Sequence, residues 1–213
     1  MRSILIAILI TVVTQTEAAE FFVLPGTKTL LVMGETKQSD VQALKYHLQD
    51  DKVDTLILKG PGGDLVAGYA IADEILKRKL TIIIPANTDC ASACSLIFAA
   101  GSVRIMEPGS RLGFHLPFMT VSDTDVGEYC AALSHEGKST EFSSLLIRMK
   151  PLTGECLMLT YQMGMRDIEK LSAIFDRDGI SKYVMTRIIN TPSGQMAWID
   201  PMEARIDGLT SEQ

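Results

Sequence analysis

The chain has 213 residues, 46% of them apolar and 22% charged, with a formal net charge of −6. That length supports one domain with a full core. The acidic balance withholds the basic footprint that duplex nucleic acid demands, and no long Lys/Arg run offers a membrane-surface patch.

The first residues bear on the compartment. Arg2 supplies a positive start, Ile4 to Val13 is apolar apart from Thr11, and Thr14 to Ala19 is polar and ends in small residues. This is the three-part pattern of a secretory signal, with cleavage expected after Ala18 or Ala19. The apolar run is short for a bilayer span, and an uncleaved anchor is the alternative. The expected organisation is a signal peptide over 1–19 and one domain over 20–213, placed in the periplasm or secreted. An even set of four cysteines, Cys90, Cys94, Cys130 and Cys156, then reads as up to two disulfides. Three pairings exist, and Cys90–Cys94 with Cys130–Cys156 is the pairing expected here. Paired Cys-x-x-Cys zinc ligands are absent from the sequence, so neither a metal nor another cofactor is called for.

Phe21 to Leu24 and Thr29 to Met33 read as strands. Ser39 is a plausible N-cap for a helix over Asp40 to Gln49, where Val41, Leu44 and Leu48 recur at helical spacing. Thr55 to Leu58 is a compact buried strand, broken by Gly60-Pro61-Gly62-Gly63. Leu65 to Lys79 is helical, Leu80 to Ile84 a strand, and Ala91 to Ala100 a small-residue helix inside the protein. Val103 to Met106 and Arg111 to Phe114 are short strands around Pro108-Gly109. Thr124 to Met149, Leu157 to Phe175 and Ile180 to Ile189 read as helices. Such alternation predicts an α/β fold with a mostly parallel sheet flanked by helices.

Three places could carry chemistry. The glycine turn lets backbone approach a ligand and can offer a free N–H to an oxyanion; its plain alternative is a tight strand-to-helix turn. In Asp89-Cys90-Ala91-Ser92-Ala93-Cys94-Ser95, Ser92 stands at a helix start, where a nucleophile gains from backbone dipoles. Its plain alternative is an N-cap. His115 ends a short apolar strand, a position suited to a general base, although a lone histidine is more often structural. His47 and His135 receive no role.

Taken in order, these segments resemble the Clp-protease proteolytic subunit and the wider Clp/crotonase superfamily. Leu31-Val32-Met33-Gly34-Glu35 is similar to that family's opening strand and turn. Thr55 to Gly63 resembles its strand and Ser-Pro-Gly-Gly turn, with Gly60 in place of Ser. Ala91-Ser92-Ala93 sits where the family has Ala-Ser-Met. His115 with Pro117 resembles its His-Gln-Pro, in a segment about two residues shorter. The Cys-x-Ser-Ala-Cys element is most similar to exported, poorly characterised Clp-like proteins.

The resemblance implies a spiral of strand–strand–helix units. It implies Ser92 as nucleophile, His115 as base, and the Gly63 and Ala93 N–H groups as an oxyanion hole. Cys90 and Cys94, if bridged, would fix the nucleophile turn. The family's third carboxylate falls on Met196. Asp200 is the substitute carried forward; Asp167, Asp176 and Asp178, or a Ser–His dyad, are the alternatives. The function implied is an exported serine peptidase or related acyl hydrolase acting on a peptide or protein. An inactive peptide-binding relative is the second reading, and a crotonase-like thioester enzyme the third. An exported chain meets no ATP, so no ATP-driven unfoldase is expected; a homo-oligomer is possible.

Overall fold

The computed structural model describes residues 18–49, 52–116, 154–192 and 194–211, with the backbone alone for helix residues 154–164 and 167. Strands β1 (Glu20–Val23) and β2 (Thr29–Thr36) form an antiparallel hairpin. Helix α1 (Gln38–His47) follows, then β3 (Thr55–Gly63), α2 (Leu65–Arg78) and β4 (Thr81–Ile84). Next come β5 (Asp89–Ala91), α3 (Ala93–Ala99), β6 (Val103–Met106) and β7 (Arg111–Phe114). The chain resumes with α4 (Gly154–Arg177), α5 (Lys182–Asn190), β8 (Ala197–Ile199) and α6 (Pro201–Ile206). This is a mixed α/β fold with a multi-strand, mostly parallel sheet flanked by helices.

The sheet forks at β3. Its first half, Thr55 to Ile57, pairs with β4, which pairs with β6. Its second half crosses at Gly60 to Cys90 of β5, and β5 continues to β7 and β8. The fork lets β4, β5 and α3 form one strand–strand–helix unit. The buried side of the sheet is aliphatic: Leu30, Leu56, Ile82, Ile84 and Leu112 are fully buried against α2 and α3. Phe114 meets Phe175 edge-on at 6.3 Å, tying β7 to α4.

Several elements differ from the sequence expectation. Helix α1 starts two residues earlier than Asp40. Lys37 occupies the cap position, and the buried Asp40 carboxylate accepts the Lys37 N–H at 2.7 Å. Ser39 therefore lies inside the helix, because Asp40 performs the capping from within the first turn. The glycine turn does not end β3; the strand runs on through Gly63. Gly60 makes this possible: a Cβ there would come within 2.2 Å of the Gly34 carbonyl oxygen. Strand β5 was not expected, since three residues are too few for a periodic signal. Helix α3 begins after Ser92, not at Ala91. The expected helix over Thr124 to Met149 and most of the signal segment lie outside the described residues.

Arg104 ties the end of the chain to β6. It is 5% exposed. Its guanidinium donates to the Leu209 carbonyl (2.8 Å), the Gly101 carbonyl (2.8 Å), the Gly208 carbonyl (3.2 Å) and Asp178 (2.9 Å). Burial holds its pKa below the usual arginine value, opposed by the Asp178 charge. Replacing it takes the donor from three carbonyls and leaves Asp178 with Arg177 as its remaining arginine partner. Arg104→Met is expected to cost about 3–5 kcal/mol, read as a shifted urea midpoint; an unshifted midpoint would refute the claim.

Candidate active site

The nucleophile turn is built by a strand that stops abruptly. Strand β5 ends at Ala91, and α3 starts at Ala93. Ser92 between them adopts φ +54° and ψ −122°. Such a backbone costs of order 1–3 kcal/mol and persists only where surrounding contacts impose it. Four do so here. The Ser92 N–H donates to the Gly113 carbonyl at 2.8 Å. The fully buried Ser95 hydroxyl lies 2.6 Å from the Cys90 carbonyl and 2.9 Å from the Gly113 carbonyl, and accepts the Gly113 N–H at 3.2 Å. A disulfide joins Cys90 to Cys94 across Ser92, with Cα atoms 5.2 Å apart. Finally, Gly62 lies against the turn: a Cβ on it would come to 2.7 Å from the Ser92 Cβ and 2.6 Å from the Ala91 oxygen.

Ser92 holds the N-cap position of α3 but makes no side-chain cap bond. Its Oγ instead lies 2.8 Å from His115 Nε2. His115 Nδ1 lies 2.8 Å from the Leu116 carbonyl. A carbonyl only accepts, so Nδ1 carries the proton and Nε2 is left to accept from the serine hydroxyl. The Leu116 peptide is itself held, because its N–H donates to the Thr191 carbonyl at 2.8 Å. The end of α5 thus positions the group that orients His115.

Two backbone N–H groups are the candidates to serve this pair. Ala93 is the first residue of α3, where an N–H has no acceptor within the helix. Gly63 follows Gly62 at φ +139°. Asp64 N–H donates to the Thr36 carbonyl at 2.8 Å on the β2 side. Alternation along a parallel ladder then directs the Gly63 N–H to the opposite edge, that of β5. Gly62 is the glycine that sequence reasoning passed over. Its signal was the doubling of glycine, because Gly63 alone would not let the two strands close on Ser92.

Asp200 is not brought to His115. Strands β7 and β8 run antiparallel, with Phe114 opposite Ala197 and Leu112 opposite Ile199. That register sets Met196 beside His115 and Asp200 level with Arg111, four residues away, roughly 13 Å at strand rise. Asp200 caps α6, accepting the Glu203 N–H at 2.8 Å. The candidate third residue is therefore a helix cap, in an Asp-x-x-Glu capping box. Asp178 is committed to Arg104, and Asp176 is exposed at the end of α4. The side chain of Asp167 and the pair Cys130–Cys156 lie outside the described residues.

Residues 32–137 match the Clp protease family model. No curated protein gives a significant match. Among solved structures, the chain is similar to a serine-to-alanine mutant of the 1510-N membrane-bound stomatin-specific protease, with a TM-score of 0.54 and 17% identity. That likeness covers 85% of this chain and 75% of the other. At such identity it bears on the fold alone.

The supports of the turn are separable by experiment. Ser95→Ala leaves buried backbone groups of Gly113 and Cys90 without their hydroxyl partner, and is expected to cost about 1–3 kcal/mol. The double variant Cys90→Ala/Cys94→Ala opens a very short loop and is expected to cost about 2 kcal/mol. Both are read by chemical denaturation. Wild-type stability in either variant would show that the turn is held by other means.

Proposed function

For a chain whose residues 32–137 match the Clp protease family model, we propose membership of the Clp-protease/crotonase-like superfamily and the activity of a serine peptidase or related acyl hydrolase working through Ser92 and His115. One observation carries this reading: Ser92 gives up the cap bond its position offers and turns its hydroxyl to His115 Nε2, 2.8 Å away. An inactive scaffold has no need of that alignment, or of a strained backbone at the same residue.

The steps follow from the geometry. Ser92 Oγ attacks the substrate carbonyl carbon as its proton passes to His115 Nε2. The carbonyl oxygen gains negative charge, for which the Gly63 and Ala93 N–H groups are the assigned donors. Collapse of the tetrahedral adduct breaks the bond to the leaving group, which takes the proton from His115. Water then repeats the sequence on the acyl-serine, with His115 again as base, and frees the acid. The Leu116 carbonyl keeps Nδ1 protonated throughout and so fixes the reactive tautomer. Asp200 takes no part.

The second element of the proposal is the compartment. A disulfide across Ser92 persists in an oxidising environment. This supports removal of the first 18 or 19 residues as a signal peptide and export of the remainder. Cleavage at either point leaves β1 whole, since it begins at Glu20.

A fluorophosphonate probe tests the chemistry directly. Labelling is expected on the oxidised wild-type protein and is expected to be lost in Ser92→Ala and His115→Ala. In Asp200→Asn it should stay within about twofold, with a cap penalty of about 1 kcal/mol or less. A wild-type protein that folds yet never labels would overturn the hydrolase reading. Intact-mass analysis of protein purified from a secreting host is expected to show a chain starting at Ala19 or Glu20. A retained Met1 would favour the anchor.

A further inference from the structure

Next to the nucleophile turn, reached through Ala91 and Met196 and not lined by Ser92 or His115 themselves, lies a groove of about 770 Å³. That volume lies within the range of small-ligand sites, roughly 300–1,000 Å³. Its shape follows from strand alternation. Gly60 pairs with Cys90, so Lys59 and Pro61 fall on the same face as Asp89 and Ala91. Ala91 pairs with Gly113, and Gly113 with Trp198. Small residues make the floor beside Ser92. The walls are Pro61 on one side and Met196 with Trp198 on the other. Gly113 admits those two side chains: a Cβ there would come within 2.8 Å of both Met196 Sδ and Trp198 Cζ3.

The charges of the groove do not cancel. Arg111 forms a two-point bond with Asp89, at 2.9 and 2.7 Å, and its guanidinium lies 4.5 Å over the Trp198 ring. That pair is internally neutral. Its hydrogen bonds hold the Asp89 carboxyl below its usual pKa and the Arg111 guanidinium above its own. Lys59 is exposed at the opposite lip. Among the described residues it has no hydrogen-bond or ion-pair partner. Glu20 lines the adjoining depression on the far side of the same lip and makes no ion pair with Lys59. The groove therefore offers an apolar wall near the nucleophile and one uncommitted positive charge across from it.

We infer that this groove is the substrate's specificity site, taking a peptide with an apolar side chain against Met196 and Trp198 and an acidic side chain at Lys59. The inference rests on the reading of Ser92 as nucleophile, because that makes the groove a substrate subsite and not merely a peptide-binding cleft. Met196 acquires a role here: it occupies the place where the resembling family carries an aspartate, and supplies apolar surface in its stead. Trp198 lines the groove together with Arg111, whose guanidinium stacks on its ring.

Trp198 is the sole tryptophan in the chain, so intrinsic indole fluorescence reports the groove without any need for turnover. The experiment titrates the full-length Ser92→Ala protein with three peptides: acetyl-Glu-Ala-Leu-amide, acetyl-Lys-Ala-Leu-amide and acetyl-Glu-Ala-Ser-amide. The first is expected to shift Trp198 emission and to bind roughly fivefold tighter than the lysine peptide, a preference that weakens with salt. It should bind roughly tenfold tighter than the serine peptide. Lys59→Glu should invert the charge preference while keeping the leucine preference. Equal response to all three peptides, or none from any of them, overturns the assignment, even where fluorophosphonate still labels wild-type Ser92. Selective binding without any such labelling leaves the groove assigned and removes the hydrolase reading.

Discussion

The parallel pairing of β5 with β7 is the constraint on which the site depends. Asp89 lies opposite Arg111, and Ala91 opposite Gly113. Parallel strands leave their C-terminal ends at the same edge of the sheet, so the residues that follow them meet there. Ser92 and His115 are 23 positions apart in the chain, yet each comes just after its strand. A slip of one residue would turn His115 to the other face of the sheet and abolish the contact. Such a slip is opposed by the core, since Cys90 and Leu112 are fully buried on the reverse face.

Gly113 is where the separate demands of the site converge. Its carbonyl accepts the Ser92 N–H and lies within reach of the Ser95 hydroxyl; its own N–H donates to Ser95. The space where a side chain would stand is filled by Met196 and Trp198. One residue thus holds the nucleophile turn by its backbone and admits the groove wall by having no Cβ. The strain at Ser92 is offset by several modest contacts, none of which needs to exceed a few kcal/mol. Because the Ser92 N–H and Ser95 hydroxyl contacts share Gly113, the effects of those two should couple and not add.

Much of this was legible in the sequence, and the remainder was hidden for physical reasons. The long buried strands and α2 announce themselves by apolar pattern, because burial selects side chains. Ser92 and His115 are legible as residue types whose chemistry is rare outside a few settings. Strand β5, by contrast, is defined by backbone pairing over three residues, and backbone hydrogen bonds leave no residue signature. The same holds for the carbonyls of Leu116 and Gly113, which any amino acid could supply. Asp200 misled for the converse reason. An Asp before Pro201 with Glu203 following is equally the pattern of a helix start, and only the β7–β8 register separates the two uses.

That register also decides which side chain stands beside the histidine. With Met196 beside the histidine, Nδ1 is oriented by the neutral carbonyl of Leu116. A carbonyl fixes the tautomer as well as a carboxylate does. It stabilises the imidazolium of the transition state less, since a charge-assisted hydrogen bond is about twice as strong as a neutral one. In the groove, a carboxylate at position 196 would bring charge to the wall where an apolar side chain is to bind. Met196, just ahead of β8, gives that position to the apolar wall of the groove, while the Leu116 carbonyl fixes the tautomer of the histidine.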